Sequence, residues 1–221
     1  MHRAGLVVAL LAVGCGSYSP PMRSPSYGAP GRVREGDLEV AGGIVGITAP
    51  IAGGARIGYG VRDWAAVEGS VDASNNWLIG SLGGRFTHAP RRDRRFHAAF
   101  DGELGLGAGV GGHIECPNLS CPQRSFQRLA LGTYGGLGAG YHIGRVALFV
   151  RSRFQGIAAD GIIATFFWST YAGVQVRLAE RVDIHVSGGG FGVHNNSLGD
   201  FLLPLWDFGV AYRFDLRGRR R

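Results

Sequence analysis

The chain of 221 residues has no lysine; all 23 of its basic side chains are arginine. Against 16 acidic residues they leave a net charge of +7. None of that excess is gathered into a basic cluster interleaved with aromatics, so nothing supports a nucleic-acid surface. Also missing is an apolar run of the ~20 residues that a spanning helix requires. Cysteine occurs only three times, and a Cys pair alone is too few ligands for a closed zinc site. The Gly-rich stretches from Gly105 to Gly109 and from Gly135 to Gly140 lie within strand patterns. No helix N-terminus follows them to cradle a phosphate, so no cofactor is expected. What abounds is glycine, 39 residues without the triplet period of collagen. Glycine at this density suits tightly curved sheets and crowded barrel interiors.

The ends read as accessories to the fold. Met1, His2 and Arg3 make a short basic start and Leu6 to Val13 an apolar run, so 1–14 reads as a signal peptide. The sequence Leu11-Ala12-Val13-Gly14-Cys15 resembles the lipobox of bacterial lipoproteins. That resemblance implies that Cys15 is acylated and becomes the first mature residue. An ordinary secretion signal cut near Gly16 or Ser17 is the alternative. Cys116 and Cys121 stand five apart in one loop and can form a disulfide in an oxidising compartment. Lipidation would then account for the odd Cys, while His113 nearby keeps a metal alternative open. Residues 15–36, rich in Ser, Pro, Gly and Arg, read as a disordered tether. The barrel domain is expected over 37–215. Residues 216–221, with Arg217, Arg219, Arg220 and Arg221, form a basic tail suited to anionic head groups.

Between the ends, apolar residues alternate with polar or tiny ones, the period of a strand with two unlike surroundings. Trp206, Phe208, Val210, Tyr212 and Phe214 share one face; Asp207, Gly209, Ala211 and Arg213 share the other. Ten such segments are expected, at 38–48, 54–62, 64–73, 77–87, 96–109, 128–141, 146–155, 162–178, 182–193 and 204–214, with eight strands possible. An even number puts both termini on one side, together with the shorter Arg-bearing turns. The longer loops, chiefly Val110 to Gln127, lie on the other.

Alternation alone does not say which face is outside. A soluble barrel buries the apolar face around a hydrophobic ligand; a membrane barrel exposes it. The polar face here is mostly Gly, Ala and Ser with scattered charges, which suits a crowded interior. Aromatics close the apolar face at strand ends (Phe86, Phe96, Tyr141, Phe154, Tyr212, Phe214), as an interfacial girdle requires. The pattern over Leu38 to Phe214 resembles small bacterial outer-membrane β-barrels of eight or ten strands. That resemblance implies an all-β, closed, antiparallel up-and-down transmembrane barrel in the bacterial outer membrane, with a periplasmic N-terminus. It also implies outer-membrane lipid and the barrel-assembly machinery as partners, the latter through the strand Trp206 to Phe214. The ligand or protein partner of the outer loops is not given by the sequence.

The polar face holds Glu68, Asp72, Asp101, Glu103, Asp183 and Asp207 with Arg56, Arg85, Arg151, Arg153, Arg177 and Arg213. Buried charges persist only when paired, so these are expected to form a plug of ion pairs, the alternative being a narrow ion path. Asp183, His185 and Ser187 stand at i, i+2 and i+4 on one strand face, roughly 6.6 Å apart in sequence. That spacing lets His185 approach Ser187 as base to nucleophile. His185-Val186-Ser187 before a Gly- and Asn-rich stretch also looks like outer-membrane lipid A deacylases, which implies a hydrolase reading on those two residues. The acidic residue nearest downstream is Asp200. The leading expectation remains a non-enzymatic barrel with a structural or adhesive role.

Overall fold

The structure, a computed structural model, describes residues 28–31, 33–47, 51–74, 77–89, 96–115, 124–159, 162–195 and 199–216. Ten strands follow one another: β1 Asp37–Ile47, β2 Ile51–Arg62, β3 Ala65–Ser74, β4 Trp77–His88, β5 Phe96–Glu115, β6 Arg124–Ile143, β7 Val146–Ala159, β8 Ile162–Ala179, β9 Val182–Asn195 and β10 Gly199–Asp215. Each pairs antiparallel with its neighbour, and β1 pairs with β10 from Asp37 opposite Asp215 to Ile47 opposite Leu205. The sheet is therefore a closed barrel without a free side edge.

Three two-residue turns on the side of the termini lie within the described residues: Asp63-Trp64, Gly144-Arg145 and Glu180-Arg181. Gly144 takes a φ of 62° in one of them, a value that glycine adopts without strain. In three turns the second residue offers its carbonyl to the next hairpin: Trp64 O accepts from Thr87 N, Arg145 O from Arg177 N and Arg181 O from Arg213 N. This repeated device ties each hairpin to the strand beyond it.

Several elements run longer than the periodicity predicts, β5, β6 and β10 by the most. β5 and β6 continue to Glu115 opposite Arg124, whereas β4 stops at Gly111 and β7 at Ala130. Much of the expected loop from Val110 to Gln127 is thus a two-stranded ribbon standing beyond the wall. Gly111-Gly112 reads as turn punctuation, yet pairing sets those glycines opposite Arg128 and Gln127. β10 begins at Gly199 rather than at Pro204. That proline lies just past the end of the β1 pairing, the edge position where a missing donor is tolerated.

The faces are now oriented. Leu106 (63% exposed), Leu137 (71%) and Phe154 point outward, while Arg153 and Asp207 are wholly buried inside. The soluble alternative, an apolar interior around a hydrophobic ligand, has these faces reversed. Outward aromatics gather near both rims: Tyr59, Trp64, Phe86, Phe96, Tyr141, Tyr212 and Phe214 on the side of the termini, Phe166, Trp168 and Trp206 toward the other. From Trp168 to Leu178 along a tilted strand is ~25 Å, the height of a membrane barrel's apolar band.

The interior is not wholly polar. Trp77, Ile79, Ile157, Phe167, Phe191 and Leu205 pack together in the half away from the termini. Glycines make room for such side chains. Gly83, Gly105 and Tyr134 lie in successive register on β4, β5 and β6, and a Cβ on either glycine would strike the Tyr134 hydroxyl.

Candidate functional site

The lumen is the only place where chemistry-bearing side chains of several strands meet among the described residues. Its first layer, on the side of the termini, centres on Glu39. Glu39 Oε1 accepts from Arg56 Nη2 at 2.7 Å and Arg85 Nη2 at 3.2 Å, and Oε2 accepts from Arg213 Nε at 2.9 Å. Glu68 Oε1 lies 2.9 Å from Arg85 Nε and 3.8 Å from Arg56 Nη1. Arg213 also reaches Asp183, whose Oδ1 lies 3.3 Å from Arg177 Nε. One network therefore joins β1, β2, β3, β4, β8, β9 and β10.

A second layer is built by register. Asp101, Gly138 and Arg151 sit in line across β5, β6 and β7; so do Glu103, Gly136 and Arg153. In each row the acid reaches over a bare glycine to the arginine two strands away, as Asp101 does to Arg151 and Glu103 to Arg153. Arg151 Nη1 lies a further 3.8 Å from Glu103 Oε2. A side chain on β6 would stand in the way: a Cβ on Gly136 would approach Glu103 Oε1 to 2.8 Å.

A third group involves Asp207. Its Oδ2 lies 3.0 Å from His185 Nε2 and accepts from Ser187 Oγ at 3.3 Å. Phe149 stands edge-on between His185 and Tyr171, with ring centroids 6.3 Å and 6.4 Å away. Near the mouth, the rings of His97 and His142 stack at 4.6 Å. Asp72 accepts from Ser70 Oγ at 3.2 Å.

Every charge expected inside lies on the inner face: Arg56, Glu68, Asp72, Arg85, Asp101, Glu103, Arg151, Arg153, Asp183, Asp207 and Arg213 are buried and Arg177 is half-buried. His185 and Ser187 are inside as well, but they converge on Asp207 rather than forming a base and nucleophile pair. The acid beside them comes from register, with Asp207 opposite Ser187, and not from Asp200. Cys15, Cys116 and Cys121 lie outside the described residues. Among the described residues no group of three or more His, Cys, Asp and Glu could hold a metal ion.

Glu39, the hub of the first layer, was not among the expected interior charges. Its signal is the alternation of Leu38 and Val40 around it, weakened because glycines dilute the rest of β1. The interior aromatics Trp77, Phe167 and Phe191 also escaped the pattern, since an apolar residue facing a lumen reads like one facing lipid.

No family model matches this chain, and no curated protein matches it significantly. Solved structures align with most of its length. The N-terminal β-barrel domain of Pseudomonas aeruginosa OprF aligns with 81% of this chain and 98% of its own, at 14% identity and a TM-score of 0.43. The NanC porin aligns over 79% and 98%, at 11% identity and a TM-score of 0.39. The outer membrane protease OmpT of Escherichia coli aligns over 81% and 94%, at 8% identity and a TM-score of 0.35. Identities this low carry none of those proteins' activities to this chain.

Proposed function

We propose that the protein is a non-enzymatic bacterial outer-membrane β-barrel with a lumen closed by ion pairs, acting structurally or adhesively through the side away from its termini. The observation that carries this reading is the inversion of the faces, with an apolar belt outside and paired Arg and carboxylate side chains inside. Seven lumen carboxylates (Glu39, Glu68, Asp72, Asp101, Glu103, Asp183, Asp207) face six guanidinium groups (Arg56, Arg85, Arg151, Arg153, Arg177, Arg213). A nearly balanced, interlocked set is a plug rather than a selective path, because among the described lumen residues the carboxylates and guanidinium groups largely answer one another.

The one long extension of the sheet, the ribbon of β5 and β6, lies away from the termini, which supports a periplasmic N-terminus, since membrane barrels place their longer extensions outside. The ribbon of β5 and β6 then stands outward as the surface for a partner. Acylation at Cys15 and a disulfide between Cys116 and Cys121 belong to this reading. So do outer-membrane lipid around the belt and the assembly machinery at β10. The test is made on cell envelopes. An integral barrel resists a carbonate wash and changes gel mobility on boiling; release by carbonate and a single unchanged band would refute it.

A further inference from the structure

The residues ahead of β1 do not leave the barrel mouth. Asp37 N donates to Arg34 O at 2.9 Å, Gly36 N donates to Gly60 O at 2.8 Å, and Val33 is buried. The crossing is so close that a Cβ on Gly60 would strike the Arg34 carbonyl. The expected tether of 15–36 thus lies partly outside the described residues and partly, at 28–31 and 33–36, against the barrel.

Residues 28–31 then enter the lumen. Ala29 N donates to Gln175 Oε1 at 2.8 Å, and His142 Nε2 donates to Pro30 O at 2.9 Å. Pro30 stands over β6, where a Cβ on Gly138 or Gly140 would approach its ring to 3.2 or 3.0 Å. Gly28 takes a φ of 65° beside Gln175 and His185, a conformation that favours glycine. Ala29 is 5% exposed. Between this segment and the layer of Glu39, Arg56, Arg85, Asp183 and Arg213 remains a cavity of about 10 Å³, room for one water.

We infer that residues 28–31 are a cis-acting plug, a displaceable strap that seals a charged vestibule at the terminal mouth. Both buried side chains that hold it, Gln175 and His142, bond its backbone, so the mouth recognises a bent peptide built of small residues and proline. Gly138 and Gly140 on β6 leave the channel it occupies, and Gly60 on β2 leaves room for the crossing of Arg34 just after it. Behind the strap the second ion-pair layer and the Phe167–Phe191 cluster still close the lumen. Withdrawing it therefore opens a blind pocket and not a pore. The inference rests on the closed-lumen reading, and conductance measurements test that reading separately.

The test uses the full chain folded in micelles, with Cys15, Cys116 and Cys121 replaced by Ser and Ala41→Cys as reporter. Ala41 lines the cavity and is 8% exposed. A small cationic methanethiosulfonate is the probe. Two hydrogen bonds hold such a strap closed by about thirtyfold. Deleting residues 1–31 is expected to raise the labelling rate by about that factor, and His142→Ala with Gln175→Ala to raise it part of the way. Equal rates with and without the strap overturn the inference. Should the deletion not fold, an unchanged rate in the double substitution overturns it alone.

Discussion

Replacing Glu39 with Gln keeps the shape of the side chain and removes one charge from the centre of the first layer. Three guanidinium groups, those of Arg56, Arg85 and Arg213, then lose their shared carboxylate. Arg85 and Arg56 keep Glu68, and Arg213 keeps Asp183, so none is left without a partner. Breaking a buried pair by removing one partner costs about 3–5 kcal/mol, and the remaining acids bring the expectation to the lower end, ~3 kcal/mol. The control is Glu35→Gln, whose partner Arg62 lies 3.6 Å away at the exposed rim. An exposed pair contributes ~1 kcal/mol or less. Urea unfolding of the refolded barrel in lipid vesicles measures both. A cycle with Arg213→Gln adds the coupling, expected at about 1–3 kcal/mol for groups in one network. If Glu39→Gln costs no more than Glu35→Gln, and the cycle shows no coupling, the ion pairs do not hold the lumen together.

Other outcomes follow from the same geometry. Gly138→Ala places a methyl group among Asp101, Arg151 and Pro30, an overpacking worth about 1–3 kcal/mol. Gly53→Ala, with nothing nearer than 4.0 Å, is expected to be close to neutral in the same unfolding assay. Leu137→Arg puts a charge on the lipid face about 10 Å from the Tyr141 belt, costing ~2–4 kcal/mol near mid-bilayer; equal stability in vesicles would contradict the outward face. Ser187→Ala is expected to leave lipid A acylation unchanged by mass spectrometry, because the hydroxyl donates to Asp207 inside the wall. A change in lipid A acyl chains that appears with the protein and disappears with Ser187→Ala would reinstate the hydrolase reading.

The wall of the barrel was legible in β7, β8, β9 and β10 because along much of each strand, inward aromatics such as Phe167 and Phe191 excepted, the residue type agrees with its side. Val182, Ile184 and Val186 against Asp183, His185 and Ser187 admit only one orientation once the lumen is known to be charged. The number of strands followed from the alternating segments, and closure from their unbroken succession with no helix between them, while the even number set both ends on one side. What could not be read is anything that depends on register between strands. The rows Asp101–Gly138–Arg151 and Glu103–Gly136–Arg153 are visible as spacings of two on three separate segments, but nothing in one segment names its partners in another. Glu39 and Arg213 meet only because the first strand closes on the last, 174 residues away. The strap was illegible for a different reason. Its composition is that of a tether, and its place depends on glycines elsewhere that leave room for it.

The account turns on which face meets lipid, and the four tryptophans report it. Trp64, Trp168 and Trp206 lie on the outer face, whereas Trp77 is buried in the lumen. Single-tryptophan variants, with the other three changed to Phe, can be folded into vesicles containing lipids brominated along the acyl chain. Strong quenching of Trp168 and Trp206 with little quenching of Trp77 is the predicted result. Quenching of Trp77 equal to or stronger than that of the other two would turn the barrel inside out and contradict the account.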